Sequence, residues 1–255
     1  MLDVFSILSP LDLTLAFAVA LLAGTVKGLV GFALPMILIS FLSLILPPDV
    51  ALAGLILPTL VTNGIQALRQ GVAAAVQSVR RFRVFLLVGA ACLLASAQLV
   101  TRIPRDAFLT VLGVTVVGFA LLQLSGLRFH LPRRSARIEA GVGAFAGLIG
   151  GMSGVWGPPT VAYLTALDTP KAEQMRVQGV IYGLGSVLLA GAHLGSGVLR
   201  AETAPLSALL VVPAVAGMWL GGFWQDRIDQ GTFRKATLAV LLVAGLNLLR
   251  RAVLG

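Results

Sequence analysis

Long apolar runs separated by short polar connections make up almost all of the chain. Charge-poor stretches cover residues 11–47, 49–68, 84–100, 106–126, 139–167, 177–199, 203–224 and 236–249. Most approach the roughly 20 residues that an α-helix needs to cross a bilayer. The pattern predicts an all-α, polytopic membrane protein with about eight transmembrane segments. Two stretches, 11–47 and 139–167, are too long for one straight crossing, and Gly and Pro interrupt each near its middle.

Those two stretches match each other. AGTVKGLVGFALP (Ala23 to Pro35) and AGLIGGMSGVWGP (Ala146 to Pro158) align without a gap at an offset of 123. The alignment pairs Gly24 with Gly147, Gly28 with Gly151, Gly31 with Gly154 and Pro35 with Pro158. Further on, IPRDAF (Ile103 to Phe108) matches IDQGTF (Ile228 to Phe233) at an offset of 125. The expectation is two pseudo-symmetric repeats, 1–126 and 138–255, joined by a basic cytoplasmic linker, 127–137. Each repeat opens with a Gly/Pro-broken helix or helical hairpin, followed by three spans. Internal repeats of this kind are common in transporters.

Loop charge orients the segments, because cytoplasmic loops carry the excess of Lys and Arg. Arg69, Arg80, Arg81 and Arg83 mark one cytoplasmic loop, and Arg128, Arg133, Arg134 and Arg137 another. With Lys27, inside the membrane, left out, the repeats are parallel if the broken segments cross completely, and the basic residues divide eleven inside to seven outside. If they are re-entrant hairpins, the repeats are inverted and the division is thirteen to five. The bias favours inverted repeats with both termini outside.

Composition narrows the function. Hydrophobic residues make up 58% and charged residues 11%, with a mean hydropathy of +0.97. A soluble domain carries roughly 25% charged residues, so no separate soluble domain is expected. The net charge of +9 sits in short loops between apolar runs, which argues for topology and against nucleic acid binding. Cys92 is the lone cysteine, without a Cys/His cluster, so neither a metal nor any other cofactor is expected. The N-terminal MLDVFSILSPLD lacks the positive region of a cleaved signal peptide.

The chemistry concentrates at the breaks, read from sequence as Gly28–Pro35 and Gly151–Pro159. A helix broken in a bilayer frees N–H and C=O groups that lipid cannot satisfy. Its exposed N-termini suit an anion. Lys27 lies inside the first motif, where a mid-membrane lysine costs about 2.5–3.5 kcal/mol on insertion scales and is normally functional. Thr25 and Ser153 flank the glycines as hydroxyl donors, and Trp156 is a candidate cavity wall. Asn63 and Gln66 lie in the second span of repeat one. Gln178, Tyr182 and Ser186 form a stripe, four residues apart, in the equivalent span of repeat two. The predicted anion contacts are Thr25, Lys27, Gly28, Gly31, Asn63, Ser153, Gly154, Trp156, Gln178 and Tyr182. His193, further along, reads as interfacial. Asp49, Asp106, Glu139, Asp168 and Glu173 lie at segment ends. No triad or phosphate loop is legible, which argues against an enzyme.

AGTVKGLVGFALPMI, PPDVALAGLILPTLVTNG (Pro47 to Gly64) and AGLIGGMSGVWGPPTVAYL together resemble the sulfite exporter TauE/SafE family of membrane transporters. The resemblance covers nearly the whole chain. It implies a two-repeat helical transporter in the plasma (inner) membrane that moves small sulfur-containing anions such as sulfite or sulfonates. Where the family motif often holds several adjacent glycines, this chain reads Lys27-Gly28-Leu29-Val30-Gly31-Phe32. The expected function is a secondary transporter working by alternating access, with an anion channel as the alternative. The expected partners are a small anionic substrate and the lipid bilayer. A G-x3-G face also suits a homodimer.

Overall fold

The computed structural model describes residues 9–99, 104–126, 133–167, 171–224 and 229–254, together with 102, 131, 169 and 227. Arg128 of the linker, Asp168, and Ile103 and Ile228 of the later matched block lie outside the described residues. Regular structure among the described residues is helical. In chain order it runs α1 (Pro10–Val30), α2 (Leu34–Leu42), α3 (Pro48–Leu68), α4 (Val72–Arg81), α5 (Arg83–Ala97) and α6 (Arg105–Leu124). It continues with α7 (Ala136–Ser153), α8 (Gly157–Ala166), α9 (Lys171–Gly195), α10 (Ala204–Trp224) and α11 (Gln230–Leu254). Each of the eight apolar stretches holds a helix, and the two long ones hold a pair each. Among the described residues five helices, in α1, α3, α6, α9 and α10, are long and apolar enough to cross a membrane. The basic stretch 69–83, expected as a loop, folds mostly into α4, whose Val72–Arg81 run has neither Gly nor Pro to interrupt it.

Large apolar side chains face outward as well as filling the core, and several polar residues are buried within it. Leu87, Val212, Trp219 and Phe223 are exposed, whereas Lys27, Asn63, Gln178, Ser186 and His193 are buried. Apolar side chains can face hydrocarbon, but polar groups there must find partners in protein.

Glycine seams hold the helices together. A Cβ on Gly24 would lie 2.0 Å from the Ala214 carbonyl oxygen, and one on Gly28 would lie 2.3 Å from that of Met218. The reciprocal contacts come from Gly217 against Leu21 and Gly221 against Thr25. So α1 and α10 run parallel with backbones touching, which only small residues permit. The same device joins α7 to α5, with Gly143 on Phe85, Gly147 on Gly89 and Gly151 on Leu93. The opening helix of each half of the chain is thus seated on a helix of the other half. Between these seams, α3 and α9 run antiparallel: Asn63 meets Ser186, and Gln66, later in α3, meets Met175, earlier in α9. The pair α6 and α11 is also antiparallel, with Gly113 against Leu249 and Gly245 against Val117.

Local defects are repaired from neighbouring helices. Pro58 inside α3 has no N–H to offer the Gly54 carbonyl. Ser207 of α10 donates to that carbonyl at 3.5 Å and accepts from the Leu57 N–H at 3.0 Å.

The ends of the bundle differ in charge. Arg81 pairs with Glu173, Arg176 donates to Ser78 at 3.2 Å, and Arg134 bonds both Glu139 and the Arg81 carbonyl. These contacts gather the connections around 69–83, 133–137 and 171–176 at one end. At the other end Arg200 lies 3.8 Å from Asp49 and 3.4 Å from Glu202. Glu139, read as a segment-end carboxylate, is buried there and also accepts from the Phe85 N–H at 3.1 Å, so it serves the start of α5.

The seams make a direct prediction. Gly24→Ala should destabilise the protein by about 1–3 kcal/mol, the usual cost of overpacking. Gly64→Ala, where a Cβ meets open space, should be neutral or stabilising by up to about 1 kcal/mol. Thermal unfolding of the two variants in detergent checks this ordering, and equal behaviour would contradict the backbone contact.

Candidate functional site

The two breaks are narrower than the sequence motif. In α1 the Lys27 carbonyl accepts from the Gly31 N–H at 2.7 Å, and Gly31 then turns left-handed at φ 79°. In α7 the Gly150 carbonyl accepts from the Gly154 N–H at 2.7 Å, and Gly154 turns at φ 70°. Glycine is the residue that adopts this conformation without steric cost. Gly28 and Gly151, predicted at the breaks, stay helical because their part in the motif is packing. Each helix resumes three residues after its glycine, at Leu34 and Gly157. Ala33, also left-handed at φ 82°, carries strain of roughly 1–2 kcal/mol at this point.

The breaks meet. A Cβ on Gly157 would lie 3.7 Å from both the Phe32 ring and the Tyr182 hydroxyl. The N-terminal ends of α2 and α8 therefore come together, and no side chain caps α2. Beside them lies a polar cluster. Lys27, 2% exposed, donates to the Asn63 Oδ1. Asn63 donates in turn to the Ser186 Oγ at 2.8 Å and to the Tyr182 carbonyl at 3.2 Å. Ser186 donates to that same carbonyl, and the Tyr182 hydroxyl donates to the Gly157 carbonyl at 3.3 Å. Among the described residues Lys27 has no carboxylate partner. A cleft of about 370 Å³ opens over it, lined also by Gly28, Gly31, Gln66, Arg69 and Met175.

Of the predicted contacts, the structure brings together Lys27, Gly28, Gly31, Asn63, Gln178 and Tyr182. Gln178 is buried with its Oε1 close over Gly31. The other four lie elsewhere. Thr25 sits on the seam with α10, its hydroxyl donating to the Leu21 carbonyl at 2.8 Å. Ser153 accepts from the Val155 N–H at 3.2 Å and so serves the second break itself. Gly154 faces Leu55 and Leu189. Trp156 covers Gly150 and Gly185 and walls a separate, apolar cavity of about 380 Å³. Ser186 stood outside the predicted contacts. The repeat offset would have found it, since it lies 123 residues after Asn63, the residue it bonds.

His193 is a correction. It was read as interfacial but is fully buried, with Nε2 3.0 Å from the Gly151 carbonyl and Nδ1 3.1 Å from the Ser196 Oγ. The break leaves the Gly151 carbonyl without its next-turn N–H, because Val155 has turned to Ser153. The imidazole supplies the missing donor, with Nδ1 accepting from Ser196.

No curated protein and no solved structure matches the chain. Residues 16–248 match the family described as Sulfite exporter TauE/SafE. With nearly its whole length matched, this multi-pass helical protein belongs to that family of membrane transporters.

Proposed function

We propose that the protein is a secondary transporter of small sulfur-containing anions, sulfite or sulfonates, across the plasma membrane. The observation that carries this reading is Lys27. A buried ammonium is tolerated when something compensates its charge. Asn63 gives Lys27 one neutral acceptor, and an entering anion supplies the missing charge. The uncapped N-terminus of α2 adds free N–H donors nearby. Charge-assisted hydrogen bonds of this kind are stronger than neutral ones.

The reading extends to architecture. The eight apolar stretches form two inverted repeats, 1–126 and 138–255, linked by 127–137, each a re-entrant broken segment followed by three crossings. The antiparallel pairing of α3 with α9 supports inversion. Asn63 and Ser186 are matched positions, yet they bond each other across helices of opposite direction. Parallel repeats would set matched helices in the same direction. The arginine-rich end then faces the cytoplasm, and both termini lie outside.

Alternating access follows from the asymmetry of the two halves. Lys27 and its cleft stand at the first break, and the cleft opens beside Arg69. At the matched position, Gly150 is covered by Trp156. This conformation is accessible from the basic side, and exchanging the two arrangements would carry the anion across. The G-x3-G seams lie inside one chain, so a homodimer would use another face.

Three experiments test this. Purified protein in liposomes should move sulfite with a rate that saturates with concentration. Lys27→Ala should weaken substrate binding at least about tenfold, as expected for loss of a charge-assisted bond. Flux that never saturates would mean a channel, and unchanged binding would remove Lys27 from the site. A reporter fused after Gly255 should read out on the outer side; a cytoplasmic signal would contradict the inverted arrangement.

A further inference from the structure

We infer that the anion bound over Lys27 must bring a proton donor of its own, and that Gln66 and Gln178 select for it. This rests on the anion site proposed above and specifies its ligand. Both glutamines have a buried amide oxygen with no hydrogen-bond partner among the described residues. Gln66 lines the cleft with Lys27, and its amide orientation is fixed because Nε2 donates to the Met175 carbonyl at 3.3 Å. Gln178, 2% exposed, holds its Oε1 close to Gly31, which lines the same cleft, behind the Met175 side chain. The Gly31 N–H cannot serve it, being already bonded to the Lys27 carbonyl.

Two unpaired acceptors in one site need an explanation, since a buried polar group without a partner costs about 1–3 kcal/mol. The hydroxyls of Thr25, Thr62 and Thr160 escape this cost by bonding the carbonyl one turn back. An amide oxygen has no such recourse, because the N–H groups of a helix are already engaged. The site therefore presents a cation, one unpaired acceptor in its lining and a second behind Met175. A bare, fully deprotonated anion answers only the cation. An anion bearing O–H or N–H answers both. That proton can belong to the acid group, as in hydrogensulfite, or to a hydroxyl or ammonium substituent. Met175, with its flexible side chain over Gly31, is the group that has to move for a ligand to reach Gln178.

The test uses the full-length protein in liposomes. Ethanesulfonate, 2-hydroxyethanesulfonate and 2-aminoethanesulfonate compete against labelled sulfite, and sulfite flux is followed on both sides of its second dissociation. The donor-bearing sulfonates should compete at concentrations at least about tenfold below ethanesulfonate. A preference among the sulfonates assigns the donor to a substituent, and flux tracking hydrogensulfite assigns it to the acid proton. Gln178→Met, close in size, should bring the competition ratio toward one. Equal competition by all three sulfonates, with flux indifferent to sulfite protonation, would overturn this inference while leaving anion transport standing. No flux of any anion through folded protein would overturn the transport reading itself. The ratio in the unaltered protein decides the question even where the variant does not fold.

Discussion

A helix that breaks inside hydrocarbon must have its freed backbone groups satisfied by protein, and the rest of this structure follows from that requirement. The cost of leaving such groups unpaired, several kcal/mol each, exceeds what any single packing contact returns. Two breaks therefore demand two sets of repairs. At the second, Ser153 and His193 take the orphaned groups of α7. At the first, α2 starts without a side-chain cap, and a lysine lies a turn before the break. At the second break the protein itself supplies partners; at the first, under the proposed function, a ligand would supply them.

The glycine seams are what allow those repairs to be in reach. With α1 and α10 touching backbone to backbone, and α5 and α7 likewise, each broken segment is anchored on the opposite half of the chain. The breaks then face each other across α3 and α9, whose polar residues form the network beneath Lys27. Movement of one anchored segment would displace groups contributed by both halves, which gives a physical route from backbone breaks to transport.

Much of this was legible in the sequence because the driving patterns are local. Apolar runs of membrane length locate the helices, and the offset of 123 residues located both breaks to within a few positions. The roles of individual glycines were not legible. Gly24, Gly28, Gly31 and their counterparts look alike in a motif, yet two pack and one turns, and only the φ angle and the opposing backbone separate them. The polar cluster was half legible: Lys27 and Asn63 stand out in apolar surroundings, whereas the choice between Ser186 and Ser153 depends on which helix faces them. His193 was misread because its acceptor, the Gly151 carbonyl, exists only once α7 has broken. Trp156, read as a candidate cavity wall, lines an apolar cavity and fills the space over Gly150.

The central claim is that Lys27 is a buried cation awaiting an anion. Lys27, Lys171 and Lys235 are the only lysines in the sequence, so selective nitrogen labelling of lysine side chains gives three signals to resolve. Titration with sulfite should shift the Nζ resonance assigned by Lys27→Arg, saturably, while the other two stay in place. A Lys27 signal that does not respond, under conditions where the protein moves sulfite, would contradict the account.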